Sequence, residues 1–386
     1  MSLAYLYDAV RAPRGKAKAD GGLAQFSPQE LVKQQVKALQ LRLGDFVVRP
    51  DALVLGCVGQ IGTQGGHIAL VSKLHAGLPD VTAAHTINNY CASSLSAIGQ
   101  AAARVSCGQD AVVLAGGVEM MSQVPFMGDQ ASYYTDASFL QRARYVPVVL
   151  AADRLANAEA MSRAELDAVT LASQHKSAAT NSDPVYQQSR IPTGALAGEE
   201  CIRPKTTAES LAEMSPSFGA LQVQYRDALD GKKFEPLHTV SHAPPVCDGA
   251  ALAVLGGKDL APAPRARIIA FAECGADPEA ALTAGFAAMN KTLERAGLTL
   301  ADLDRIEFME AFAVTIAKFL RDYPVDPAKV NVSGGHIAKG HPMGASGAIL
   351  TSTLLDCLDQ CGGTLGLVVV TGASGVGAAM IVERLN

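Results

Sequence analysis

Cys91 stands where the sequence changes pattern. Ala84–Ile87 before it is β-prone, and Ala92–Ala103 after it is a run of small residues with helical spacing. A cysteine at the first turn of a helix faces free N–H groups and the positive end of the helix dipole, which stabilise a thiolate. Such a site is expected to lower the thiol pKa from its free value of about 8.5 and to make Cys91 the most reactive of the eight cysteines. A buried structural cysteine is the plainer alternative for any single thiol. The second chemical signal lies far downstream, in the glycine-rich stretch Asn331–Ala348, which contains Gly340-His341-Pro342. Its glycines indicate tight turns and close backbone approach. A histidine held before a proline in such a loop has a restricted backbone and suits a fixed base, although an ordinary turn histidine fits the local sequence as well.

The elements needed to bring these two residues together recur along the chain. Ala4–Val10 reads as a strand, Ser27-Pro28-Gln29-Glu30 as a capping box that opens a helix to Leu43, and Asp51–Val58 as a buried strand. After a glycine-rich loop, Gly59–Gly66, come a helix to about Ala76, the strand into Cys91, the helix out of it and the strand Asp110–Gly117. The series repeats at a nearly constant offset of about 250 residues: strand Arg267–Ala272, Asp277-Pro278-Glu279 as a helix start, strand Asp304–Phe308, the His341 loop, a helix from Ala345 to about Cys361 and strand Leu365–Thr371. Two weakly similar halves argue for a duplicated α/β unit, with Cys91 of one half facing His341 of the other. Between them, 119–242 lacks the repeat but carries a helix with an apolar stripe, Arg163–Ala179. Its length points to a functional insertion.

Cys91 and the Gly-His-Pro loop together resemble the thiolase family, nearly end to end. The resemblance implies an α/β fold of duplicated βαβαβαββ halves forming a layered αβαβα sandwich with an inserted loop domain. The corresponding boundaries are 1–118 plus 243–262 for the first half, 119–242 for the insertion that covers coenzyme A, and 263–386 for the second half. It implies acyl transfer from acyl-CoA or 3-oxoacyl-CoA through a thioester on Cys91, with His341 as base. The oxyanion donors would be the N–H groups of Cys91 and Ala373. Arg203 and Lys205 in the insertion become candidates for the phosphates of coenzyme A, each also readable as solvated surface charge. Pro244 and Pro245 are expected to shape the loop over the pantetheine arm. Coenzyme A enters as substrate, with no separate cofactor and no metal, and a homodimer or homotetramer is implied, with an accessory subunit as an alternative.

Two positions depart from the family pattern. Thr371 occupies the place of the second cysteine, the acid/base at the substrate α-carbon, and a hydroxyl is far too weak an acid to replace it. Met309, in Met309-Glu310-Ala311-Phe312, occupies the place of an asparagine that holds a polarising water. His336 is a candidate replacement base or a satisfied loop histidine. Three readings follow: an acyltransferase with an altered carbon–carbon step, an acyl-CoA-binding subunit of a larger complex, and a relative of decarboxylating ketoacyl synthases. The third lacks a second catalytic histidine near Met309 and ranks last.

Composition narrows the surroundings. A net charge of −5 advertises no basic face for nucleic acid. The cysteines at 57, 91, 107, 201, 247, 274, 357 and 361 form no paired CxxC clusters, so a structural zinc site is not expected, and scattered thiols fit a reducing cytoplasm. Met1–Tyr5 carries no basic leader pattern, and no apolar run approaches the ~20 residues that span a bilayer.

Overall fold

The computed structural model describes residues 4–385; the leader reading at Met1–Leu3 lies outside the described residues. The strands in chain order are β1 (Tyr5–Arg11), β2 (Gly15–Lys16), β3 (Ala52–Gly56), β4 (Ala83–Ile87), β5 (Val112–Met120), β6 (Cys247–Gly256), β7 (Ala266–Gly275), β8 (Arg305–Phe308), β9 (Leu365–Thr371) and β10 (Val376–Arg384). They form one mixed sheet in the order β4-β3-β5-β6-β1-β7-β10-β9-β8, with β2 on β6. The duplication is visible in that order. The series β3-β5-β6-β1 is matched, reversed, by β7-β10-β9-β8. The pairs β3–β5 and β8–β9 are parallel, and β5–β6 and β9–β10 antiparallel. The halves meet at β1–β7 through only Tyr5↔Arg267 and Leu6↔Ala266. The second half's counterpart of β4 is a single parallel bridge, Ile306↔Val330, just before the Asn331 loop.

Side chains alternate along these strands with the period of two that a pleated sheet dictates. Leu53, Leu55, Leu114 and Val254 form one core with the helices Pro28–Leu43 and Ile68–His75. Ala52, Val54, Ala115 and Ala253 face the opposite core. There the helices Ser93–Ser106 and Ser346–Cys361 pack on each other and on strands of both halves, while Ala284–Ala296 lies on β7, β9 and β10. The two middle helices approach so closely that a Cβ on Gly347 would sit 2.6 Å from Leu95 N. Gly347 is thus a packing requirement of this helix pair.

Ser27 caps its helix as expected, accepting from Glu30 N with Pro28 in the first turn. The matching Asp277-Pro278-Glu279 makes only a short 3-10 turn, Pro278–Ala280, and the helix begins at Ala284. The cause is Leu282, whose φ of +73° breaks the helical path and whose N–H donates to Gly372 O at 3.3 Å. β5 runs to Met120, two residues beyond the expected end of the first segment at 118. The inserted segment carries the helices Val148–Ala158 and Arg163–Thr180, the latter opened by a capping box of Ser162 and Glu165. No described helix is long and apolar enough to cross a membrane.

Candidate active site

Cys91 follows a tight turn at the end of β4. Tyr90 has φ +45°, a left-handed conformation that costs a non-glycine residue roughly 1–3 kcal/mol. Local hydrogen bonds hold it there. Tyr90 N–H donates to Asn88 Oδ1 at 3.1 Å, Ser93 Oγ–H to Tyr90 O at 2.6 Å and Asn89 N–H to Ser93 Oγ at 2.9 Å. The turn sets Cys91 just ahead of the Ser93–Ser106 helix.

His341 reaches it from the second half. Its Nε2 lies 3.2 Å from Cys91 Sγ, and its Nδ1 lies 2.7 Å from Ser346 Oγ. The separation of 250 residues between the pair repeats the offset of the duplication. The backbone around His341 is fixed on three sides. His341 N–H donates to Pro245 O at 2.8 Å, Arg14 Nη1 donates to Gly340 O at 3.2 Å, and Val246 bridges to His341. Gly340 itself has φ +100°, and a Cβ there would lie 2.7 Å from Cys247 Sγ.

Burial decides the charge state of this pair. It pushes the Cys91 thiol up to about 12, against hydrogen bonds from the N–H groups of Ala373 and Cys91 itself, which favour the thiolate. The lowered pKa expected from the helix terminus is overturned, because desolvation of a charged sulfur outweighs the helix-end donors. Burial, with a smaller contribution from the Arg14 charge, brings His341 down to about 3. The resting pair is therefore a thiol facing a neutral imidazole. With the Nε2 lone pair toward sulfur, Nδ1 carries the proton and donates to Ser346.

A cavity of about 240 Å3 opens over the pair, lined by Cys91, His341, Ala373, Met309 and mostly apolar neighbours. Of the other residues singled out in the sequence, Thr371 is fully buried and does not line it; Thr371 Oγ1 accepts the N–H of Gly285 at 3.3 Å. His336 sits beside His341, ring centres 5.4 Å apart, but also off the cavity wall; both its ring nitrogens are buried without partners, and burial holds its pKa well below the usual range. Arg203 and Lys205 are exposed on the insertion and do not line the cavity. Pro244 lines it, and Pro245 supplies the carbonyl that fixes His341.

Several residues of the site were not singled out from sequence. The buried Glu119 carboxylate accepts from Val58 N (2.9 Å), Gly59 N (2.9 Å), Gly344 N (3.0 Å) and Gln64 Nε2 (3.0 Å), tying together three segments around the cavity. Burial raises its pKa, and those donors oppose the rise. Glu310 holds the His341 loop by accepting from Ser173 Oγ (2.7 Å), Ile337 N (3.0 Å) and Asn331 Nδ2 (3.1 Å). Arg14 and Ser346 complete the surroundings of His341. The only sequence signal for any of them was placement: Glu119 follows the Gly116-Gly117 strand end, and Ser346 lies in the same glycine-rich loop as the histidine.

Residues 4–222 match the thiolase N-terminal domain and 262–384 the thiolase C-terminal domain. The chain belongs to the thiolase family. It is 32% identical to a β-ketoadipyl-CoA thiolase of Pseudomonas knackmussii, over 99% of both chains. It is also 32% identical to a steroid 3-ketoacyl-CoA thiolase of Mycobacterium tuberculosis, over 100% of this chain and 95% of that one. Human mitochondrial 3-ketoacyl-CoA thiolase superposes with a TM-score of 0.88 at 28% identity, covering 100% of this chain and 99% of that one.

Proposed function

We propose that this protein is an acyl-CoA acyltransferase that passes the acyl group through a thioester on Cys91. The observation that carries the reading is the 3.2 Å contact between Cys91 Sγ and His341 Nε2, with the Cys91 and Ala373 N–H groups aimed at the sulfur. As Sγ attacks the thioester carbonyl, Nε2 takes the thiol proton, so no free thiolate has to accumulate in the buried site. The two N–H groups stabilise the oxyanion. On collapse the carbonyl–sulfur bond to coenzyme A breaks, and the imidazolium returns its proton to the departing coenzyme A thiolate. Acyl-Cys91 then reacts with an incoming thiol by the reverse path. Coenzyme A is a substrate throughout, and Arg203 and Lys205, exposed on the insertion, are proposed to meet its phosphates.

The same reading includes an altered carbon–carbon step. Proton transfer at the α-carbon needs a titratable group on the far wall of the cavity. Thr371 Oγ1 is engaged by Gly285, and Met309 offers neither a proton nor a hydrogen-bonding amide. Glu119 does not substitute, since four N–H donors occupy both of its oxygens. These observations also favour a second reading, an acyl-CoA-binding subunit that needs a partner for turnover. Assembly as a homodimer or homotetramer is proposed from the unpaired outer edge of β4, flanked by the exposed Leu74 and Val81. The test is intact-mass and peptide mass spectrometry after exposure to a panel of acyl-CoA esters. An acyl adduct on Cys91, released by free coenzyme A, is the expected result. Adduct formation on another cysteine, or none, refutes the thioester mechanism.

A further inference from the structure

The cavity over Cys91 carries information about the acyl group, and this inference rests on the acyl-transfer reading. Its wall has no lysine or arginine among the described residues. The ionisable groups on it, apart from the Cys91–His341 pair and tyrosine hydroxyls, are the carboxyls of Glu119 and Asp129. Part of the wall is built from flexible apolar side chains, including Met121, Met309, Met343 and Leu282. Methionines adapt to irregular apolar shapes. At Met309 this means that the family's polar amide is replaced by a thioether on the wall.

The far side is aromatic. Tyr134 and Tyr145 line the cavity with ring centres 4.9 Å apart, and Tyr133 packs edge-on against Tyr145 at 5.7 Å. Tyr134 and Tyr145 also border a second cavity of about 240 Å3 behind them. The cation there is Arg144, whose Nε and both terminal nitrogens donate to the backbone carbonyls of Phe139 (3.1 Å), Asp227 (3.4 Å) and Ala137 (2.8 Å). Asp136 and Asp227 share that second wall. A carboxylate at the end of an acyl chain would therefore leave water for the wall of the Cys91 cavity, which carries Glu119 and Asp129 and no lysine or arginine, an arrangement that strongly disfavours an unpaired charge.

We infer that the acyl site selects a neutral, bulky, apolar acyl chain that packs on the tyrosines and excludes chains ending in a carboxylate. Hexanoyl-CoA and adipyl-CoA provide a matched pair, with six acyl carbons each and a difference only at the far end. The rate of acyl-Cys91 formation, read by mass spectrometry on the full-length protein, is expected to favour hexanoyl-CoA by about 100-fold or more. A bulkier neutral ester, phenylacetyl-CoA, should acylate at least as fast as acetyl-CoA. Equal or faster acylation by adipyl-CoA overturns the inference while leaving the thioester mechanism standing. Labelling of Cys91 by none of the four esters overturns the mechanism and the inference with it. Phe126 lines the rim of the cavity and is 42% exposed, so Phe126→Arg places a cation there without burying it in the core. This variant should narrow the hexanoyl-to-adipyl ratio by roughly 10-fold, and an unchanged ratio overturns the charge argument.

Discussion

The two walls of the cavity differ sharply in what they can do with a proton. On the sulfur wall, Cys91, His341 and Ser346 form a hydrogen-bonded chain, and two backbone N–H groups converge on Sγ. On the rest of the lining, Met309 and Leu282 present carbon and sulfur, while Thr371, off the lining, accepts the N–H of Gly285 in the neighbouring helix. On the proposed reading, one wall makes and breaks a thioester and the other holds an apolar chain. The reading proposed above implies that a nucleophilic half-site can persist when the half that handles carbon acids changes, because the two share a cavity without sharing hydrogen bonds.

The largest effect is expected on the sulfur wall. His341→Ala should slow acylation of Cys91 by about 10²–10⁴-fold, the usual contribution of a positioned general base. Stopped-flow or quenched mass spectrometry measures it. The same variant should slow iodoacetamide labelling of Cys91 and leave the exposed Cys107 and Cys361 unaffected. Equal loss at all three would point to general unfolding.

Next comes the attempt to equip the other wall. Met309→Asn combined with Thr371→Cys should raise thiolytic cleavage of a neutral 3-oxoacyl-CoA by roughly 10-fold or more, with thioester exchange changed little, since only cleavage uses the restored acid/base. Matching gains in both rates would erase the contrast between the walls. A smaller effect is expected for Ser346→Ala, which removes the acceptor of the Nδ1 proton. Losing one such hydrogen bond, about 1 kcal/mol, should lower kcat about 5-fold with little change in KM, and Ser346→Thr should restore part of it.

The smallest effect concerns stability against pH. Burial holds the folded His341 and His242 down to about 3 and about 4, below the ordinary histidine value of 6.5. As pH falls below 6.5, the unfolded chain binds protons that the folded chain refuses, so stability is lost progressively down to about pH 3. Chemical denaturation at pH 7 and pH 5 should show the decline. His341→Gln should make the decline shallower, and an unchanged slope would remove His341 from the account.

Much of this was legible in the sequence because it depends on local rules. Strand β9 falls at Leu365–Thr371 as read, and the Ser27 cap and the Arg163 helix follow from side-chain chemistry within one turn. The Cys91–His341 encounter followed from the repeat, since equivalent positions in a duplicated fold meet at its seam. What escaped is what depends on long-range burial. The sequence places Cys91 at a helix end, but not under enough protein to reverse the sign of its pKa shift. Nor does it show that Glu119 collects N–H groups from two segments far apart in the chain, or that Leu282 N–H is drawn to Gly372 O and delays a helix to Ala284. Each of these needs partners distant in the chain, and a single sequence carries no local mark of them.

The division of the reacting pair between two halves, 250 residues apart in the chain, has a consequence for the newborn chain. Until the ribosome has released the second half, Cys91 belongs to a polypeptide that holds no His341, no Ala373 and none of Leu282, Met309 and Met343 from the covering wall. Its thiol then has ordinary acidity and ordinary exposure, open to any oxidant or electrophile. Arrival of the second half supplies the base and withdraws the sulfur from water in the same event. The completed fold therefore brings the nucleophile its base and the last of its cover together.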